Sequence, residues 1–79
     1  MIIKSIDLFA GVGGLRIGLE KALKKLGLKH DCVLYSEINK HCQKTYEKNF
    51  FPTKLIEDIK SVKDIKFQIP NHDILLAGF

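Results

Sequence analysis

Ile6-Asp7-Leu8-Phe9-Ala10-Gly11-Val12-Gly13-Gly14-Leu15 joins a short buried strand to the start of a helix through a turn with three glycines. A strand-to-helix turn needs one glycine to reverse the chain. Three of them keep side chains away from the backbone, so a ligand can approach the N–H groups at the carboxyl edge of a sheet. The rest of the chain can be tested against that reading.

Upstream, Ile2-Ile3 and Ile6-Asp7-Leu8-Phe9 predict a first, largely buried strand. Downstream the period changes. Leu15, Leu19, Ala22, Leu23 and Leu26 recur at spacings of 4, 7, 8 and 11, which predicts one apolar helix face. Arg16, Glu20, Lys21, Lys24 and Lys25 fall largely elsewhere on that helix. Gly27 stands where a C-terminal cap is expected. Gly18, inside the helix, implies close packing on the sheet. His30-Asp31 leads into a second strand, Cys32-Val33-Leu34-Tyr35-Ser36, ending at Glu37. Asn39 can cap a second helix whose apolar positions are Cys42, Tyr46 and Phe50, and Phe51-Pro52 stops it. Lys54-Leu55-Ile56 is a short third strand ending at Glu57-Asp58-Ile59. Between Ser61 and Phe67 a short helix can turn Val62, Ile65 and Phe67 to a core. Pro70-Asn71 turns the chain, and Asp73-Ile74-Leu75-Leu76-Ala77 is a fourth strand before Gly78-Phe79.

The order β-α-β-α-β-(α)-β predicts an α/β fold with a parallel sheet, a Rossmann-like arrangement. Such sheets usually take roughly 100–150 residues to cover both faces. With 79 residues, ending on Phe79 after an apolar run, the chain is expected to be part of a larger domain.

Composition narrows the classes. A hydrophobic share of 46% is that of a folded protein, which argues against disorder. Net charge is +4, with Lys21, Lys24, Lys25 and Lys29 around one helix end. That cluster suits the negative end of a helix dipole and permits a polyanionic partner without identifying one. Two cysteines are too few for a disulfide framework, no secretory signal is legible, and no apolar run is long enough to span a membrane, so a cytoplasmic setting is expected. Cys32 and Cys42 read as structural. His30, His41 and His72 show no metal-ligand spacing and read as loop or surface residues, so no metal is expected.

Asp7, the glycine turn, Glu37, Asp58 and Gly78 all fall at or just past strand ends. In a parallel sheet those ends share one edge, and that edge binds ligands. Glu37 lies 26 residues beyond Gly11, where a carboxylate can accept both hydroxyls of a ribose. Asp58 can accept from an adenine amino group, and Phe9 and Ile38 can supply apolar faces for a purine. A dinucleotide fingerprint wants a third glycine where this chain has Arg16, so the turn suits a nucleoside better than a pyrophosphate.

These stretches resemble a known family in order and spacing. Asp7-Leu8-Phe9-Ala10-Gly11-Val12-Gly13-Gly14 resembles the first motif of the DNA (cytosine-5) methyltransferases. Glu37 with Asn39 is similar to the second, Glu57-Asp58-Ile59 to the third, and Asp73 to Phe79 to the strand leading into the fourth. The resemblance implies the N-terminal part of an S-adenosylmethionine-dependent methyltransferase domain. By that likeness Phe9 packs on the adenine, and Ala10 and the loop of Gly11, Gly13, Gly14 and Leu15 form the stretch facing the methionine moiety. Glu37 takes the ribose hydroxyls, Ile38 covers the other adenine face, Asp58 and Ile59 read the adenine edge, and Gly78 lies near the methionine end. Some members carry an aromatic residue where this chain has Ile38.

The implied reaction methylates carbon 5 of a cytosine flipped out of double-stranded DNA, through a thiolate that adds to carbon 6. That cysteine is expected two residues beyond Phe79, and the DNA-reading domain further on. The 79 residues alone are therefore expected to be inactive, as a partial catalytic domain over residues 1–79, with a restriction–modification system as the setting. Three other readings stay open. One is a subunit of a split enzyme whose partner polypeptide carries the cysteine. Another is a tRNA cytosine-5 methyltransferase. The third, of a different class, is a dinucleotide-binding oxidoreductase domain.

Overall fold

The computed structural model describes residues 1–61 and 69–78. Val62, Ile65 and Phe67, expected to face a core, lie outside the described residues, as does Phe79. Strand β1 (Ile2–Leu8) leads into helix α1 (Gly14–Lys25), then β2 (Lys29–Ser36), α2 (Lys40–Phe50), β3 (Leu55–Ile56), a single 3-10 turn (Ile59–Ser61) and β4 (Ile74–Ala77). The four strands form one sheet in the order β3-β2-β1-β4, with every pairing parallel. Parallel neighbours need crossover connections, and α1 and α2 supply the first two. The chain steps from β1 out to β3 and then returns to the other side of β1, so the strand order reverses there. Such a reversal, at the carboxyl ends of the strands, is where open α/β sheets hold ligands.

The helix ends form for local reasons. Asn39 accepts the Cys42 N–H on its Oδ1 at 3.0 Å and so caps α2, worth about 1 kcal/mol. At the end of α1, Gly27 adopts φ +72°. Its N–H bonds the Lys24 carbonyl and the Leu28 N–H bonds the Leu23 carbonyl, which is the paired-bond ending that favours glycine at this position.

The β1–β2 register shifts between Ser5 and Ile6, where Ser5 faces Cys32 and Ile6 faces Leu34. Val33 is the extra residue. In a regular strand, residues three apart lie on opposite faces. The bulge puts Cys32 and Tyr35 on the same face. Tyr46 meets both, with its hydroxyl 3.8 Å from Cys32 Sγ and its ring stacked on Tyr35 at 3.9 Å between centroids.

Three expectations for α1 are corrected. Of the apolar positions Leu15, Leu19, Ala22, Leu23 and Leu26, only Leu23 is buried, and Leu26 is 72% exposed. Arg16, expected to fall away from the interior, turns inward instead. Its Nη1 donates to Thr53 Oγ1 at 2.8 Å and Tyr46 Oη at 3.2 Å, and its Nε donates to Glu20 at 2.9 Å. Its guanidinium lies 4.3 Å from the Phe50 ring centre. A hydrogen-bonded guanidinium stacked on an aromatic face can occupy ground that hydrophobicity alone assigns to leucine. Gly18 is also not a close-packing site, because a Cβ there meets nothing within 4 Å.

Candidate functional site

Just past β1, β2 and β3 the chain places Phe9, Glu37 and Asp58 at one edge of the sheet. Phe9, Glu37, Ile38, Asp58 and Ile59 line a single cavity of about 150 Å³, together with Ser36, Glu57 and Lys60. Five residues singled out along the sequence thus converge. Ala10, Gly11, Gly13, Gly14, Leu15 and Gly78 do not line this cavity. They belong to the stretches after β1 and β4, beside it.

The loop after β1 is built from left-handed backbone. Phe9 (φ 50°), Gly11 (φ 58°) and Gly13 (φ 94°) all have positive φ. For phenylalanine that conformation is unusual, and strain of this kind persists where the surroundings hold it. Gly78 is part of that support. Its N–H bonds the Leu8 carbonyl at 3.1 Å, and a Cβ on it would lie 3.1 Å from the Phe9 carbonyl oxygen. Ala10 is tied to the next strand by its N–H on the Ser36 carbonyl at 2.9 Å. Gly13 sits against α2, where a Cβ would come within 2.3 Å of the Phe50 ring.

Glu37 joins the pieces. Its Oε1 accepts the Gly11 N–H at 2.7 Å and its Oε2 accepts the Asn39 N–H at 2.9 Å. Asp58 accepts the Lys60 N–H on Oδ1 at 2.9 Å. Lys40 pairs with Glu57 across the rim. The edge therefore offers apolar surface from Phe9, Ile38 and Ile59 beside two carboxylates with fixed orientation. That combination suits a flat heterocycle carrying hydroxyl and amino donors.

Asp7, expected with the ligand-edge residues, is not at the edge. It is 1% exposed and faces α2, where Tyr46 donates to it. Burial pushes its carboxyl above the usual carboxylate range, against the pull of the Tyr46 bond and the Arg16 charge. Burial likewise pushes the Tyr46 hydroxyl far above its ordinary value. His30 is corrected too. It lies within β2, its ring is nearly buried, and its Nε2 is 2.7 Å from Ser5 Oγ. Burial lowers its pKa.

Gln43 was missed along the sequence. It is buried, and its Nε2 donates to the Glu37 carbonyl at 2.5 Å. The signal was a lone glutamine in the first turn of α2, on the face that Tyr46 shares. Among the described residues no group of three or more His, Cys, Asp or Glu can hold a metal ion, and no helix is long and apolar enough to cross a membrane.

Comparison with known proteins points one way. A family model described as C-5 cytosine-specific DNA methylase matches residues 3–79. The chain is 49% identical over 78 residues to the Type II methyltransferase M.HgiCI of Herpetosiphon aurantiacus, covering 99% of this chain and 17% of that protein. It is 52% identical over 79 residues to the Type II methyltransferase M.DsaV of Dactylococcopsis salina, covering 98% and 19%. It is 48% identical over 81 residues to the Type II methyltransferase M.BanI of Aneurinibacillus aneurinilyticus, covering 100% and 17%. The chain spans less than a fifth of the length of each of these relatives.

Proposed function

The chain belongs to the C-5 cytosine-specific DNA methylase family, and on that premise we propose that it forms the cofactor-binding part of a DNA cytosine-5 methyltransferase of restriction–modification type. The observation that carries this reading is the convergence of Phe9, Glu37, Ile38, Asp58 and Ile59 on one cavity. The lining fits an adenosyl group. Phe9, Ile38 and Ile59 sandwich and edge the purine, the Glu37 carboxylate accepts from the ribose hydroxyls, and Asp58 accepts from the adenine amino group. Ala10, Gly11, Gly13, Gly14, Leu15 and Gly78 border the path of the methionine moiety, where the glycines keep side chains out of the way. When bound, S-adenosylmethionine supplies an electrophilic methyl group on a sulfonium centre.

The nucleophilic thiolate is assigned outside these residues. Cys32 is buried beneath Tyr46, Cys42 sits in the first turn of α2, and neither lines the cavity. The remaining polypeptide, in one chain or as a separate subunit, supplies that group and the surface that reads double-stranded DNA. Membership of the DNA methylase family supports a DNA substrate, which the net charge of +4 permits, and a cytoplasmic setting goes with that reading.

Isothermal titration of the full-length protein with S-adenosylmethionine tests the reading. Glu37→Ala and Asp58→Ala are each expected to weaken binding about tenfold or more, the loss of one or two charge-assisted hydrogen bonds. Tighter binding to NAD than to S-adenosylmethionine would overturn the proposal in favour of a dinucleotide domain.

A further inference from the structure

Glu37 is tied into the backbone more heavily than a ribose contact requires. Its two carboxylate oxygens accept from Gly11 N–H and Asn39 N–H, so one side chain links the loop after β1 to the cap of α2. Its own carbonyl is gripped by the buried Gln43. Gly11 turns at φ +58° with nothing within 4 Å of where a Cβ would stand. The turn is braced by the Ala10 N–H on the Ser36 carbonyl and the Gly13 N–H on the Ala10 carbonyl, and at Gly11 itself by the bond to Glu37.

An ionised carboxylate has roughly four acceptor positions. The backbone uses two here, one on each oxygen. One remains on each oxygen, which is the number a vicinal diol needs. We infer that Glu37 is a positioning residue for the glycine loop as well as an acceptor for the ribose. The inference rests on the cofactor reading above and deepens it. Its consequence is that cofactor affinity depends on Glu37 even when the ligand has no hydroxyls to offer.

Two variants and two ligands separate the roles. Glu37→Gln keeps one acceptor oxygen for Gly11 N–H, but its amide nitrogen cannot accept. Glu37→Ala removes both acceptors. Full-length wild type and both variants are titrated with S-adenosylhomocysteine and with its 2′,3′-dideoxy analogue. On the parent ligand both variants are expected to bind more weakly than wild type. On the dideoxy analogue Glu37→Gln should fall between wild type and Glu37→Ala, while Glu37→Ala should be weaker than wild type by about tenfold. If Glu37→Ala binds the dideoxy analogue as tightly as wild type, Glu37 serves the ribose alone and the inference is wrong. Wild type that binds neither ligand overturns the cofactor reading, and this inference with it. Should Glu37→Ala not fold, Glu37→Asp replaces it. That variant keeps the charge but withdraws it by one methylene, and the same loss on the dideoxy analogue is expected.

Discussion

Tyr46 on α2 donates its hydroxyl hydrogen to Asp7 on β1 at 3.1 Å, across 39 residues of sequence. The acceptor is a fully buried carboxylate whose Oδ1 has no hydrogen-bond partner among the described residues. Removing the donor strands the other oxygen as well. Tyr46→Phe keeps the ring that stacks on Tyr35 and should destabilise the fold by about 1–3 kcal/mol, the cost of an unsatisfied buried polar group. The denaturant midpoint measures it, and an unchanged midpoint would show that the bond contributes nothing.

The same carboxylate makes stability depend on pH with a definite sign. Burial raises the folded pKa of Asp7 above the ordinary value of 3.8. The folded protein therefore binds this proton more readily than the unfolded chain. Asp7's contribution to stability improves as pH falls from above the raised folded value towards 3.8. Asp7→Asn is uncharged throughout. Its stability relative to wild type should be most favourable near neutrality and should decline steadily as the medium is acidified. Parallel urea unfolding curves over that range check this. A difference that does not vary with pH would mean that the carboxyl titrates alike in both states.

Gly13 and Gly14 are neighbours with opposite requirements. Gly13 has φ +94°, and a Cβ would strike the Phe50 ring, which Arg16 and Tyr46 hold from its other contacts. At Gly14 a Cβ meets nothing within 4 Å. Gly13→Ala should lower stability by at least about 1–2 kcal/mol from backbone strain alone, whereas Gly14→Ala should be neutral or slightly stabilising in the first turn of α1. Thermal unfolding of the pair distinguishes them, and equal effects would contradict the loop geometry.

Arg16→Gly completes the glycine spacing of a dinucleotide fingerprint, yet it also removes the side chain that ties Glu20, Tyr46 and Thr53 together. The expected result is a less stable protein with no gain in NAD affinity. Titration with NAD beside a thermal melt reports both quantities. A variant that binds NAD while staying as stable as wild type would show that Arg16 only blocks a dinucleotide site.

The sheet and the gathering of Phe9, Glu37 and Asp58 at one of its edges were legible because they follow from local rules. Glycines at 11, 13 and 14, a cap at Asn39 and apolar runs closed by Glu37 and Asp58 specify where strands end, and parallel strands bring those ends together. Which side of α1 faces inward was not legible. Its leucine spacing defines an apolar stripe, but among the described residues only Leu23 on that stripe is buried. The interior beside α2 is instead filled by Arg16 on Phe50 and Tyr46. Periodicity counts apolar side chains and cannot register a guanidinium that bonds Glu20, Tyr46 and Thr53 while stacking on Phe50. Asp7 and His30 escaped for a related reason. Their partners, Tyr46 and Ser5, lie 39 and 25 residues away, so no local pattern announces that they are interior.

Gly78 places a time order on the turn after β1. The backbone of Phe9 is supported from one side by the last strand, through the Gly78 N–H on the Leu8 carbonyl and the close fit of Gly78 against the Phe9 carbonyl. During synthesis β1 and its glycine turn emerge before α1, β2, α2 and β3, and β4 follows them. A nascent chain stalled before Gly78 has all three glycines of the turn but lacks the strand that seats them. Within this stretch the turn is thus seated only once β4 arrives, and until then β1 presents one unpaired edge to whatever chaperone or neighbouring chain reaches it.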